Sequence, residues 1–112
     1  MITRAGAVVL LACATASGAT PAPGAARHRV EITGLRFGPA QLEAAVGDTV
    51  IWVNRDVVPH TATRTGPRGW DTGVLARGDS ARLVLRHAGA HDYTCTLHPA
   101  MRGRIVVRAR PR

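Results

Sequence analysis

Cys95, His98 and Met101 stand at intervals of three in the run Cys95-Thr96-Leu97-His98-Pro99-Ala100-Met101. A loop anchored by strands at both ends can fold this thiolate, imidazole and thioether about one point. A second imidazole from another loop would complete a trigonal set with a weak axial sulfur. His60 is the candidate for that place, because it follows Asn54-Arg55-Asp56-Val57-Val58-Pro59 directly after a strongly β-patterned run. Two His, one Cys and one Met select copper: thiolate and thioether favour Cu(I), and imidazole suits both oxidation states. Zinc is the main chemical competitor, but structural zinc sites take four strong N or S ligands at characteristic spacings, and the thioether of Met101 is a poor one. Nucleophilic catalysis by Cys95 with His98 or His60 is the other chemistry these residue types can serve. No third group is placed to orient the base, and a Cys at a strand end inside a core column is badly exposed for a substrate. The chain is read as a non-enzyme.

These ligands need strands to hold them. From residue 29 onward short β-patterned runs alternate with Gly, Pro and Asp punctuation, and no apolar period of 3.6 persists for three turns. The expected strands are Arg29 to Leu35, Gln41 to Val46, Val50 to Asn54, Thr61 to Thr63, Ala81 to Arg86, His91 to Cys95 and Arg104 to Arg108. Seven to eight short strands in one small domain predict an all-β Greek-key sandwich or barrel. Alternation puts Val50, Trp52 and Asn54 on one face, and His91, Tyr93 and Cys95 on one face of a later strand. Trp52, Tyr93, Val84, Ile105 and Val107 are the expected core. His28 and His87 read as surface residues and His91 as a histidine at the edge of the core, none of them a ligand.

The chain has 112 residues. Residues 1–25 read as an export signal and flexible linker, and 26–112 as one copper-binding domain. The signal has Arg4 ahead of the apolar run Ala5 to Leu11, with Ala14-Thr15-Ala16 fitting an A-x-A cleavage site. Leu10-Leu11-Ala12-Cys13 also resembles a bacterial lipoprotein box, in which Cys13 would carry a lipid anchor. Cys95 is then the lone thiol of an exported domain, where cysteines normally pair. Beyond the N-terminus no run approaches the roughly eighteen apolar residues of a membrane-spanning helix. All fifteen basic residues are Arg and the formal net charge is +8, which favours acidic partners. The Arg residues are scattered and lack interleaved aromatics, so nucleic acid is not an expected partner.

The runs Val46-Gly47-Asp48-Thr49-Val50-Ile51-Trp52-Val53-Asn54, Arg55 to His60, Asp92-Tyr93-Thr94-Cys95 and the short loop through Met101-Arg102-Gly103 resemble the cupredoxins, the small blue-copper proteins. Within that family they are most similar to the amicyanin-like group beside plastocyanin and pseudoazurin. The resemblance covers most of the chain from about residue 29 and implies His60, Cys95, His98 and Met101 as ligands of one type 1 copper. It also implies that Asn54 ties the two ligand loops together near the Cys95 sulfur. Leu97 and Ala100 depart from the larger or more constrained residues usual in amicyanins, and His91 from a common aromatic. The implied function is single-electron transfer by a periplasmic monomer through Cu(II)/Cu(I). The electron port would be His98 ringed by Leu97, Pro99, Ala100, Val58 and Pro59, with Arg102 and Arg104 steering an acidic redox protein toward it. The alternative is a periplasmic copper carrier or chaperone on the same fold.

Overall fold

The computed structural model describes residues 24–110, and the expected export signal with Cys13 falls outside them. Among the described residues nine strands follow in order: β1 (Arg27–Thr33), β2 (Arg36–Gly38), β3 (Gln41–Ala45), β4 (Thr49–Asn54), β5 (Thr63–Arg64), β6 (Trp70–Asp71), β7 (Ser80–Val84), β8 (Gly89–Thr94) and β9 (Arg102–Arg108). They form two sheets, ordered β2-β1-β4-β7 and β3-β9-β8-β5-β6. β1 runs parallel to β4, and β3 parallel to β9, while the remaining pairs are antiparallel. The chain passes repeatedly from one sheet to the other, the interleaving of a Greek-key sandwich.

Period-two alternation decides what faces inward. In β1, Val30 and Ile32 are buried while Arg29, Glu31 and Thr33 point out; their register partners Trp52 and Asn54 on β4 are also fully buried. Across the sandwich, His91 pairs with Ile105 and Tyr93 with Gly103, and β9 buries Gly103, Ile105 and Val107. Aromatic rings fill the gap between the sheets. Tyr93 meets Trp52 edge to face at 5.6 Å and Phe37 at 4.7 Å, and Trp70 stands 5.2 Å from Trp52. Complete burial of each such side chain is worth about 1.5–3 kcal/mol, so this cluster is a large part of the core's stabilisation.

Two short strands, β2 and β6, add to the seven expected runs. Thr61 and Ala62 precede β5 instead of opening it; His60 forms an isolated bridge with Leu75. Val84, expected in the core, is only half-buried; β7 ends there and the following Leu85 enters the core at 3% exposure. His28, expected at the surface, is half-buried because its Nε2 lies 2.8 Å from the buried Asp48 carboxylate. His91 is buried and its Nε2 donates to the His87 carbonyl at 2.8 Å.

Candidate metal centre

The C-terminal end of β4 and the β8–β9 connection lie at the same pole of the sandwich, and the residues between them converge. Cys95 continues the inward column of Tyr93 and is fully buried, as is His60. The loop after Cys95 is a tight turn: His98 N–H donates to the Cys95 carbonyl at 3.2 Å, Met101 N–H to the His98 carbonyl at 2.9 Å, and Cys95 N–H to the Met101 carbonyl at 3.3 Å. The His60 loop is fastened by reciprocal backbone bonds between His60 and Leu75 of 3.1 and 2.7 Å.

Cys95 Sγ lies 3.7 Å from His60 Nδ1 and 3.8 Å from His98 Nδ1. The ligand atoms of His60, Cys95 and His98 are all within 4.8 Å of one another. Bonds of about 2.0–2.3 Å from one ion to N and S in a trigonal plane would separate the two donors by about 3.8 Å, and a tetrahedral angle by about 3.6 Å. The observed separations fit one ion in either arrangement and lie near the trigonal value. Met101 is buried at the end of the loop and lines the same cleft as His98. A soft thiolate, two imidazoles and an adjacent thioether suit copper.

The surrounding hydrogen bonds fix the donors. His60 Nε2 lies 2.8 Å from Asp56 Oδ2, so it carries the proton and leaves Nδ1 as the lone-pair donor facing Cys95. Asp56 also accepts from the backbone of Leu35 and Gly34; the Leu35 N–H foremost, with Gly34 and His60, outweighs burial and holds the carboxyl below its ordinary pKa. Thr61 N–H donates to Cys95 Sγ at 3.3 Å, stabilising thiolate charge on sulfur. Thr61 Oγ1 also accepts from Thr96 N–H at 2.9 Å and lies 3.1 Å from Thr96 Oγ1, tying the His60 and Cys95 loops together.

Asn54 is buried, and its side chain bonds the Val58 and Leu75 carbonyls at 3.0 and 2.8 Å and the Asp56 N–H at 2.9 Å. These bonds brace the loop that carries His60, whereas the bonds joining the two ligand loops belong to Thr61. Sequence reasoning did not single out Thr61, Thr96, Asp56 or Leu35. The only local signal was a carboxylate four residues before His60.

The two imidazoles differ in exposure: His60 is sealed, whereas His98 is half-buried and opens on the surface. Leu97 (47% exposed), Pro99 and Ala100 surround His98, and a shallow cleft of about 410 Å³ runs from them to Leu35 and Met101. Val58 and Pro59 are exposed on the neighbouring loop.

A profile of the cupredoxin-like domain matches residues 6–107. The chain is 35% identical over 82 residues to the amicyanin of Paracoccus denitrificans, covering 70% of this chain and 63% of that protein. It is 30% identical over 112 residues to the chloroplastic plastocyanin of Fritillaria agrestis, covering 84% and 68%. The chain thus spans less than two thirds of the amicyanin's length. Among solved structures, a reduced amicyanin variant superposes with a TM-score of 0.68 at 34% identity, over 78% of this chain and 85% of the other. A copper-containing nitrite reductase from Thermus scotoductus superposes at 0.69 and 33% identity over 77% of this chain but only 23% of the enzyme.

Proposed function

The chain belongs to the cupredoxin-like family, and on that premise we propose that it binds one type 1 copper ion and shuttles single electrons between redox partners. His60, Cys95 and His98 would be the strong ligands and the Met101 thioether the weak one. The observation that carries this reading is the buried Cys95 thiol with an imidazole nitrogen on either side at 3.7 and 3.8 Å. When bound, the copper supplies a one-electron couple, Cu(II) accepting an electron to become Cu(I). The protein's part is to keep one ligand arrangement for both states: Thr61 N–H on the sulfur, Asp56 on His60, and backbone bonds closing both loops. Water is kept from Cys95 and His60 by complete burial.

The half-exposed His98 and the apolar Leu97, Pro99, Ala100, Val58 and Pro59 around it form the electron port. No substrate is converted there; partners dock and leave. The net charge of +8 favours an acidic docking surface on the partner. The working form is a monomer in the bacterial periplasm whose copper-binding domain is residues 26–112, preceded by a linker that is freed by cleavage after Ala16 or held at the membrane through lipid on Cys13.

Adding Cu(II) to the exported domain should produce an intense blue absorption band and the narrow copper hyperfine splitting of a Cu–thiolate bond in EPR, and Cys95→Ser should abolish both. A colourless protein that binds Zn(II) instead, or that reduces and releases copper, would overturn the electron-carrier reading.

A further inference from the structure

Asp56 faces two ways. Its Oδ2 accepts the Nε2–H of His60 at 2.8 Å, and its two carboxylate oxygens accept the backbone N–H groups of Gly34 at 2.7 Å and Leu35 at 2.9 Å. The first bond reaches a fully buried side chain; the other two reach the turn between β1 and β2. That turn places a non-glycine residue, Leu35, at φ 58°, a conformation that L side chains rarely adopt. Its side chain is 49% exposed and lines the cleft shared by Leu97, His98, Pro99, Ala100 and Met101. One carboxylate therefore joins the sealed imidazole to a piece of surface beside the exposed one.

We propose that Asp56 is a positioning residue that holds His60 in its metal-facing tautomer while setting the Leu35 turn as an additional wall of the docking face. The inference rests on the copper reading above. A carboxylate accepting Nε2–H raises the donor strength of the opposite nitrogen and fixes the ring plane. A stronger imidazole donor favours Cu(II) over Cu(I). The same bond network keeps Leu35 over the cleft, extending the apolar surface around His98 beyond the loops of residues 57–59 and 97–100.

The test compares wild type, Asp56→Asn and Asp56→Glu. Loss of the carboxylate in Asp56→Asn should weaken Cu(II) binding about 10- to 100-fold. Where Cu(I) binding is unaffected, each tenfold raises the reduction potential by about 59 mV. Hydrogen exchange at the Gly34 and Leu35 amides should accelerate in the same variant. Asp56→Glu, whose longer carboxylate can follow His60 only by leaving the turn, should keep a potential near that of wild type while the two amides exchange faster. A blue, folded Asp56→Asn with unchanged potential and unchanged exchange at residues 34 and 35 overturns the inference, as does an Asp56→Glu shift equal to that of Asp56→Asn. A wild type that never turns blue overturns the copper reading and the potential half of this inference with it. In that event, NMR of the metal-free protein still decides the structural half: a slowly exchanging His60 Nε2–H that Asp56→Asn exposes supports it, and one unaffected by the substitution overturns it.

Discussion

Tyr93 lies over Gly103, its cross-strand partner, so closely that a Cβ at residue 103 would overlap the phenol ring. The ring has little room to swing, since Phe37, Trp52 and Trp70 surround it with centroids 4.7–5.6 Å away. Burial also pushes the Tyr93 hydroxyl up to about 12, so the phenol stays neutral across the physiological range. Gly103→Ala should therefore destabilise the fold by about 1–3 kcal/mol, the usual cost of forcing extra volume into a packed core. Urea unfolding measures it, and a midpoint equal to that of wild type would mean that the aromatic cluster yields more easily than its packing indicates. Gly103 is the second residue of β9, directly after the short loop that holds Cys95, His98 and Met101, so the constraint also anchors that loop to the core. Those three residues were legible in sequence because their spacing is local and their types are chemically rare together. Asp56, Thr61 and Leu35 were not: apart from the Asp56–His60 bond, four positions apart, the bonds that give them their roles join residues 21 to 35 positions apart, and most have a backbone N–H at one end, which every non-proline residue offers.

At the scale of elements, alternation exposed the long strands and their inward faces, while β2 and β6, three and two residues long, exist only through their pairing with β1 and β5. The pole opposite the metal is organised by a turn residue. Gly47, at φ 96°, lets the β3–β4 connection fold back so that Asp48 points inward at 3% exposure. Its carboxylate accepts from Ala26 N–H, Ala45 N–H and Arg110 and lies 2.8 Å from His28 Nε2, clasping the start of β1, the end of β3 and the segment after β9. Burial alone would raise its pKa; the bond to His28 and those from Ala26 and Ala45 outweigh it and lower the value from 3.8 to about 2. A carboxyl depressed in the folded state contributes stability that is complete above its unfolded value and is lost as pH falls through the folded one. The shift corresponds to about 2 kcal/mol, lost between roughly pH 4 and pH 2. Asp48→Asn should be less stable near neutrality and should lack this part of the acid dependence. Unfolding free energies at pH 6, 4 and 2 test it; wild type and variant losing equal stability over that interval would remove Asp48 from the account.

For the whole molecule the controlling quantity is charge. Fifteen Arg face seven acidic residues. Several of those acids are already engaged: Asp48 with His28 and Arg110, Asp92 with Arg104 at 3.2 Å or less, and Glu31 with Arg29 and Arg55 at 3.3 and 3.7 Å. The residual positive field therefore extends over much of the surface, including exposed Arg102 next to the metal loop. Such a field raises the encounter rate of anions and depresses that of cations by roughly tenfold or more at low salt. The Debye length falls from about 30 Å at 0.01 M to about 8 Å at 0.15 M, so both effects should shrink over that range. Stopped-flow oxidation of the reduced copper protein by hexacyanoferrate(III), in which Cu(I) gives one electron to Fe(III), should slow as salt rises. Oxidation by a tripositive cobalt(III) chelate should instead accelerate. Arg102→Glu should reduce the rate with the anion and its salt dependence while leaving the blue absorption band in place. If the two oxidants respond alike to salt, the arginine surface has no part in steering small charged oxidants to the site.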